Sequence, residues 1–162
     1  MARVRWLEPN INGRGHFANH LIAEQASRWE WQLTSPLIYR DPVFGSVTVP
    51  TGFQTNFASI RSLRVIASPI YGTLVGYGNA ACTVHDYLYG GGKTERGEVL
   101  SREEADDVLY RALRAEGVAR WRASLFYIGV RIGGAPTTIR QRWVVDHFVF
   151  TGDIRSEIPA AL

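Results

Sequence analysis

The spacing of hydrophobic positions changes near residue 60. Before that point they fall in short alternating runs broken by turn residues, the period of half-buried strands. Trp29, Trp31 and Leu33, then Leu37, Ile38 and Tyr39, read as a strand pair interrupted at Pro36. Asp41-Pro42-Val43-Phe44-Gly45-Ser46 is a turn, and Val47-Thr48-Val49 leads out of it as a further strand, ended by Pro50-Thr51-Gly52. After residue 60 the spacing is helical. Asn79–Tyr89 reads as a helix with Asn79 as N-cap and Gly90-Gly91-Gly92 as terminator. A loop over residues 93–100 follows. Ser101-Arg102-Glu103-Glu104 spells a capping box, in which the serine hydroxyl meets the Glu104 amide while the Glu104 carboxylate reaches back. The helix it opens carries Ala105, Val108, Leu109, Ala112 and Leu113 on one face and stops at Gly117. A third helix runs over about residues 119–132, closed by Gly133-Gly134 and Pro136, and residues 143–150 read as a last strand. Strands first and helices after predict an α+β fold: N-terminal antiparallel β-hairpins, a three-helix region and a C-terminal strand. At 162 residues this is expected to be a single domain, with its motifs over about residues 29–134.

Composition narrows the function classes. With 46% hydrophobic and 20% charged residues the chain is ordinary for a globular protein. Net charge is +3, and Lys93 is the only lysine, so the cations are almost all arginine, the residue suited to bidentate contacts with carboxylates and phosphates. They are scattered, without the basic run of a nucleic-acid footprint. Arg120-Trp121-Arg122 and Arg140-Gln141-Arg142-Trp143 interleave arginine with tryptophan, and half-buried tryptophan with solvated arginine accounts for both. The lone Cys82 excludes an intrachain disulfide framework and a multi-cysteine zinc site. No stretch has the ~18 to 20 apolar residues of a membrane span, and the first residues lack a secretory pattern. Synthesis in the cytosol is the expectation.

The chemistry concentrates in Ala80-Ala81-Cys82-Thr83-Val84-His85-Asp86-Tyr87-Leu88-Tyr89. On a helix His85 shares a mostly apolar face with Ala81, Cys82, Leu88 and Tyr89 and should pack inward. Asp106, three residues before Leu109, stands at the edge of the next helix's apolar stripe. If the two helices are antiparallel, Asp106 reaches the imidazole, fixes its tautomer and stabilises imidazolium, the arrangement of a histidine general base. Asp86 points about 100° away and could hold a metal or a loop. A buried His–Asp tie between helices is also a common structural device, and spacing alone favours it over catalysis.

Thr55, Asn56 and Ser59, in the stretch from Val49 to Ile60, cluster where strands give way to helices. They can cap the following segment, or place a hydrogen bond or ligand oxygen beside His85. His16 and His20 are four apart, as two ligands on one helix would be, but Asn12-Gly13-Arg14-Gly15 argues against a helix and no third ligand is evident. His147 has no constellation. The glycines at 72, 76 and 78 lack the spacing of a phosphate loop. A phosphohydrolase with paired His-Asp metal ligands would draw on His16, His20 and Asp146, and the β-rich first third argues against it.

Three motifs, in order, resemble a family of small uncharacterised proteins of tailed phages and prophages: Val49-Pro50-Thr51-Gly52-Phe53-Gln54-Thr55-Asn56-Phe57-Ala58-Ser59, then Ala80-Ala81 with His85-Asp86-Tyr87-Leu88-Tyr89, then Ser101-Arg102 with Ala105-Asp106. Trp121-Arg122-Ala123 and Arg131-Ile132-Gly133-Gly134 also resemble that family's tail. The family's aspartate after Thr55 is Asn56 here, which puts any proton or metal role at that position in doubt. His85, Asp86, Tyr89 and Asp106 also resemble, more distantly, the His-Asp-x-x-Tyr helix and orienting aspartate of phospholipases A2. That likeness implies His85 activating water, Asp106 orienting it and Asp86 binding calcium, with zinc the lesser alternative. The disulfide ladder and glycine-rich calcium loop of that group are missing. Together the resemblances imply a phage virion or tail accessory protein, made in the host cytoplasm and carried in the virion. Its expected partners are other virion proteins and host envelope lipid or peptidoglycan. The alternative is a purely structural virion component without activity.

Overall fold

In the computed structural model, residues 13–28, 30–55 and 77–133 are described. They form an α+β fold with antiparallel sheets first and three helices after, as the pattern predicts. Sheet A has the order β1-β4-β5, from His16–Phe17, Leu37–Asp41 and Gly45–Val49; sheet B has the order β2-β3-β6, from Ala23–Ser27, Glu30–Leu33 and Gln54–Thr55. The helices are α1 (Asn79–Tyr89), α2 (Arg102–Ala115) and α3 (Arg120–Gly133). The expected strand at residues 143–150, and Asn56, Ser59, Asp146 and His147, lie outside the described residues.

The strand pair read across Pro36 is corrected: β3 and β4 belong to different sheets. Pro36 has no N–H for a ladder, and the Asn19 side chain fixes the crossing, donating to the Pro36 carbonyl at 2.6 Å and accepting from the Ile38 amide at 2.9 Å. β4 then pairs with β5 as a hairpin, Leu37 opposite Val49 and Asp41 opposite Gly45. Leu37, Tyr39 and Asp41 point inward together, as alternation requires, and meet Val47 and Val49 in the core.

Against sheet A lie α1 and α2. They are antiparallel, as His85 facing Asp106 and Ala81 facing Glu116 show. α3 returns along α2, pairing Tyr127 with Tyr110 and Arg131 with Asp106. α2 is therefore the central helix. Its expected apolar face is buried throughout, and the Ser101–Glu104 capping box is present in both directions.

α2 is tied to the sheet by a charge. Arg111 is fully buried, and its Nε and Nη2 donate to the two oxygens of Asp41 at 2.8 and 3.1 Å. The same carboxylate accepts the Val43 and Phe44 amides at 2.9 and 3.0 Å, so it closes the β4–β5 turn while it holds the helix. Nearby, the Tyr39 hydroxyl donates to the Arg14 carbonyl at 2.9 Å; burial, with Asp41 beside it, pushes its pKa well above the usual phenol value. Gly15, at φ 64°, permits this: a Cβ there would lie 2.3 Å from the Arg40 carbonyl oxygen.

Removing one member of such a pair leaves an uncompensated buried charge, which costs about 3–5 kcal/mol. Asp41→Asn keeps an oxygen for the turn but not the charge, so urea unfolding should show a loss in that range. Adding Arg111→Met should cost less than the two single changes summed, by at least ~1 kcal/mol. A single-variant loss under ~1 kcal/mol would contradict this role.

Candidate functional site

α1 is buried on nearly all sides, with Ala80 through Val84, His85 and Leu88 inside. Its N-terminus departs from the expectation. Gly78, not Asn79, is the cap residue, and its left-handed φ of 74° offers no side-chain acceptor. The acceptor comes from the far end of α2: the Glu116 carboxylate takes the Ala81 amide at 2.9 Å and the Ala80 amide at 3.4 Å. A Cβ at Gly78 would sit 2.2 Å from a Leu113 methyl carbon, so only glycine lets the helices close here. Glu116 thus sets the position of the helix that carries His85, although nothing local in the sequence relates residue 116 to residue 80.

The imidazole is 3% exposed, and its Nε2 lies 2.8 Å from Oδ1 of Asp106, itself 1% exposed. A carboxylate accepts, so Nε2 carries the proton in this contact. Tyr89 joins the same centre. Its hydroxyl donates to Asp106 Oδ1 at 3.1 Å, and its ring stands 4.3 Å from the imidazole. Burial and the adjacent Asp106 raise its pKa above the usual phenol value, so it remains a donor at neutral pH. From α3, Arg131 reaches Asp106 Oδ2 at 3.5 Å and Glu103 at 3.2 Å. Asp106, on α2, is held on both oxygens from the two helices beside it, α1 and α3, a geometry that fixes the ring's orientation through its partner.

Asp86 faces the other way, toward the sheet. The Thr55 hydroxyl on β6 donates to its Oδ2 at 2.7 Å, so the carboxylate secures the strand-to-helix junction. Thr55 therefore bonds Asp86 in preference to lying against the ring. Calcium requires six to eight oxygen ligands. Asp86 and Thr55 supply two such groups, and among the described residues no three His, Cys, Asp or Glu side chains gather as a metal site. The described residues alone do not make a calcium cradle. His16 lies on a short strand and His20 outside any helix, both exposed, so the paired-ligand reading has no helix to stand on.

Sequence reasoning brought together His85 and Asp106, with Tyr89 on the same face, but it set Thr55 beside His85, and the Thr55 hydroxyl bonds Asp86. It missed Arg131, Glu116 and the Asp41–Arg111 pair. For Arg111 a signal exists: a charge inside Leu109-Tyr110-Arg111-Ala112-Leu113 needs a buried partner. At Arg120-Trp121-Arg122 the expectation of partly buried tryptophan and solvated arginine holds only in part: Arg120 is exposed, but so is Trp121, at 54%, and Arg122 is half-buried. Arg140, Arg142 and Trp143 lie outside the described residues.

A helical layer on antiparallel sheets, with a buried His85–Asp106 pair joined by the more exposed Tyr89 and Arg131 where three helices meet, defines the class of this protein. The family described as a protein of unknown function (DUF1353) matches over residues 31–130, and the chain belongs to it. The match spans most of β3, all of β4, β5 and β6, α1, α2 and most of α3. No curated protein and no solved structure matches.

Burial raises the Glu116 carboxyl above its ordinary value, against the lowering effect of the two amides. The folded state then binds a proton that the unfolded state does not, so stability rises as pH falls through the folded value and levels off below the ordinary one. Glu116→Gln should remove this slope from pH-dependent melting and cost nothing at neutral pH, because the amide oxygen still accepts. Glu116→Ala, without an acceptor, should lose about 1 kcal/mol against the glutamine variant. Equal stability of the two variants would refute the cap.

Proposed function

We propose that this is a phage-encoded, virion- or tail-associated accessory protein whose His85–Asp106 pair is a hydrolytic centre directed at the host envelope. The observation that carries this reading is the 2.8 Å contact between His85 Nε2 and an Asp106 already held by Tyr89 and Arg131. With Nε2–H donated to the carboxylate, Nδ1 is the basic atom. It would take a proton from water as the oxygen attacks an ester or amide carbonyl, and return that proton to the leaving group as the tetrahedral intermediate collapses. Asp106 would stabilise the transient imidazolium, while Tyr89 and Arg131 keep the carboxylate from rotating. The phage association rests on the order of the three motifs, residues 49–59, 80–89 and 101–106, which resemble proteins of tailed phages. The candidate substrates are envelope lipid and peptidoglycan, and the partners are other virion proteins.

A specific observation favours a second reading. At 3% exposure the His85 ring is enclosed, as in a structural bolt joining α1 to α2. On that reading the protein is a virion component with no turnover.

The test is turnover by purified protein on phosphatidylglycerol–phosphatidylethanolamine vesicles and on peptidoglycan sacculi, with calcium or zinc supplied in separate arms. A general base contributes about 10²- to 10⁴-fold, so His85→Gln should reduce the rate by that order while circular dichroism and cooperative melting persist. Absence of hydrolysis in every arm, with the protein present in purified particles, would overturn the hydrolase and leave the structural component.

A further inference from the structure

At the opposite end of the helical layer from His85, Arg122 lies between two exposed aromatic rings. Its guanidinium carbon is 4.4 Å from the Tyr77 ring centroid and 4.9 Å from that of Trp121. Tyr77 is 46% exposed and Trp121 54%, two of the most exposed large apolar side chains among the described residues. The Arg122 Nε is buried with no hydrogen-bond partner, and no carboxylate pairs with this guanidinium among the described residues. Among the described residues its cation meets two ring faces and no carboxylate, an arrangement that holds the guanidinium without neutralising it. Exposed Arg120 stands two residues away, and the first turn of α3 contains no acidic residue. The Glu116 carboxylate, just past the end of α2, is turned onto the α1 amides.

Two grounds in the sequence weighed against a nucleic-acid face, the scatter of the basic residues and a partly buried tryptophan, and the exposure of Trp121 weakens the second. We infer that Tyr77, Arg120, Trp121 and Arg122 form a binding surface for single-stranded nucleic acid, with bases stacking on the exposed rings and the two arginines meeting phosphates. Flat, half-open π faces beside unpaired guanidinium groups are what stacked bases on a charged backbone require. A bilayer would instead need exposed aliphatic groups in the same cluster. Among the described residues the exposed large aliphatic side chains, Ile22 and Val99, lie on other segments. An acidic polypeptide supplies charge but few planar groups to cover two rings. The surface is separate from His85: α1 spans about 16 Å, with Tyr77 before its first turn and Tyr89 at its last.

The test is fluorescence anisotropy of a labelled oligo(dT) of about 15 nucleotides titrated with the full chain at several salt concentrations. Binding should weaken with salt along a log–log slope of about −1.4, the value for two phosphates on a single strand. Trp121→Ala should weaken it about tenfold and Trp121→Phe less, since a ring remains. Arg122→Gln should reduce the slope by about 0.7. Val99→Ser should leave binding unchanged, and each variant's melting curve confirms that it is folded. Absence of binding at low salt overturns the inference, as does equal binding by folded Trp121→Ala. So does tighter binding of a matched duplex, of poly-aspartate or of phosphatidylglycerol vesicles, each of which would assign the surface to a different partner.

Discussion

The guanidinium of Arg111 has no access to water, so its charge must be balanced inside the protein, and Asp41 is where that happens. This pair constrains much of what surrounds it. Because Asp41 also closes the β4–β5 turn, the hairpin cannot shift register without exposing a buried cation. Because Arg111 belongs to α2, that helix cannot rotate on the sheet. About 140° around the helix from Arg111, Asp106 then necessarily faces α1 and α3. The buried ion pair need not add much net stability. Its consequence is geometric: one rotational setting of α2 places Asp106 against His85.

Two further contacts refine this setting. Glu116 anchors the start of α1 from the end of α2, and the α1–α2 contact at Gly78 and Leu113 leaves no room for a side chain. Arg131 brings α3 to the same carboxylate that holds the imidazole. The cluster thus lies at one end of the helical layer, while the exposed aromatic and arginine group lies at the other. One end is enclosed and polar; the other is open and cationic. On the reading proposed here, the first end carries chemistry and the second carries attachment, and either can exist without the other.

Much of the local architecture was legible in the sequence because it is written in neighbouring residues. The Ser101–Glu104 box, the glycine stop after Tyr89 and the strand through Leu37, Ile38 and Tyr39 each need only a few positions to be recognised. The His85–Asp106 contact was legible for a related reason: the loop between their helices is short enough to make antiparallel packing the natural expectation. What escaped was long-range. Glu116 replaces a local N-cap from 35 residues away, and Asp41 meets Arg111 across 70 residues. No local period encodes such partners. Trp121 was misjudged because an amphipathic pattern does not say which residues of a helix's first turn the rest of the fold leaves uncovered.

The central claim is that α2 presents Asp106 so as to hold His85 in one tautomer, with the proton on Nε2. Nitrogen-15 NMR of the histidine side chains at neutral pH reads this directly. The account predicts a protonated, slowly exchanging Nε2 on His85 coupled to its ring protons, and a pyridine-like Nδ1. A proton on Nδ1, or rapid averaging between the two nitrogens, would mean that the carboxylate does not hold the ring and would contradict the account.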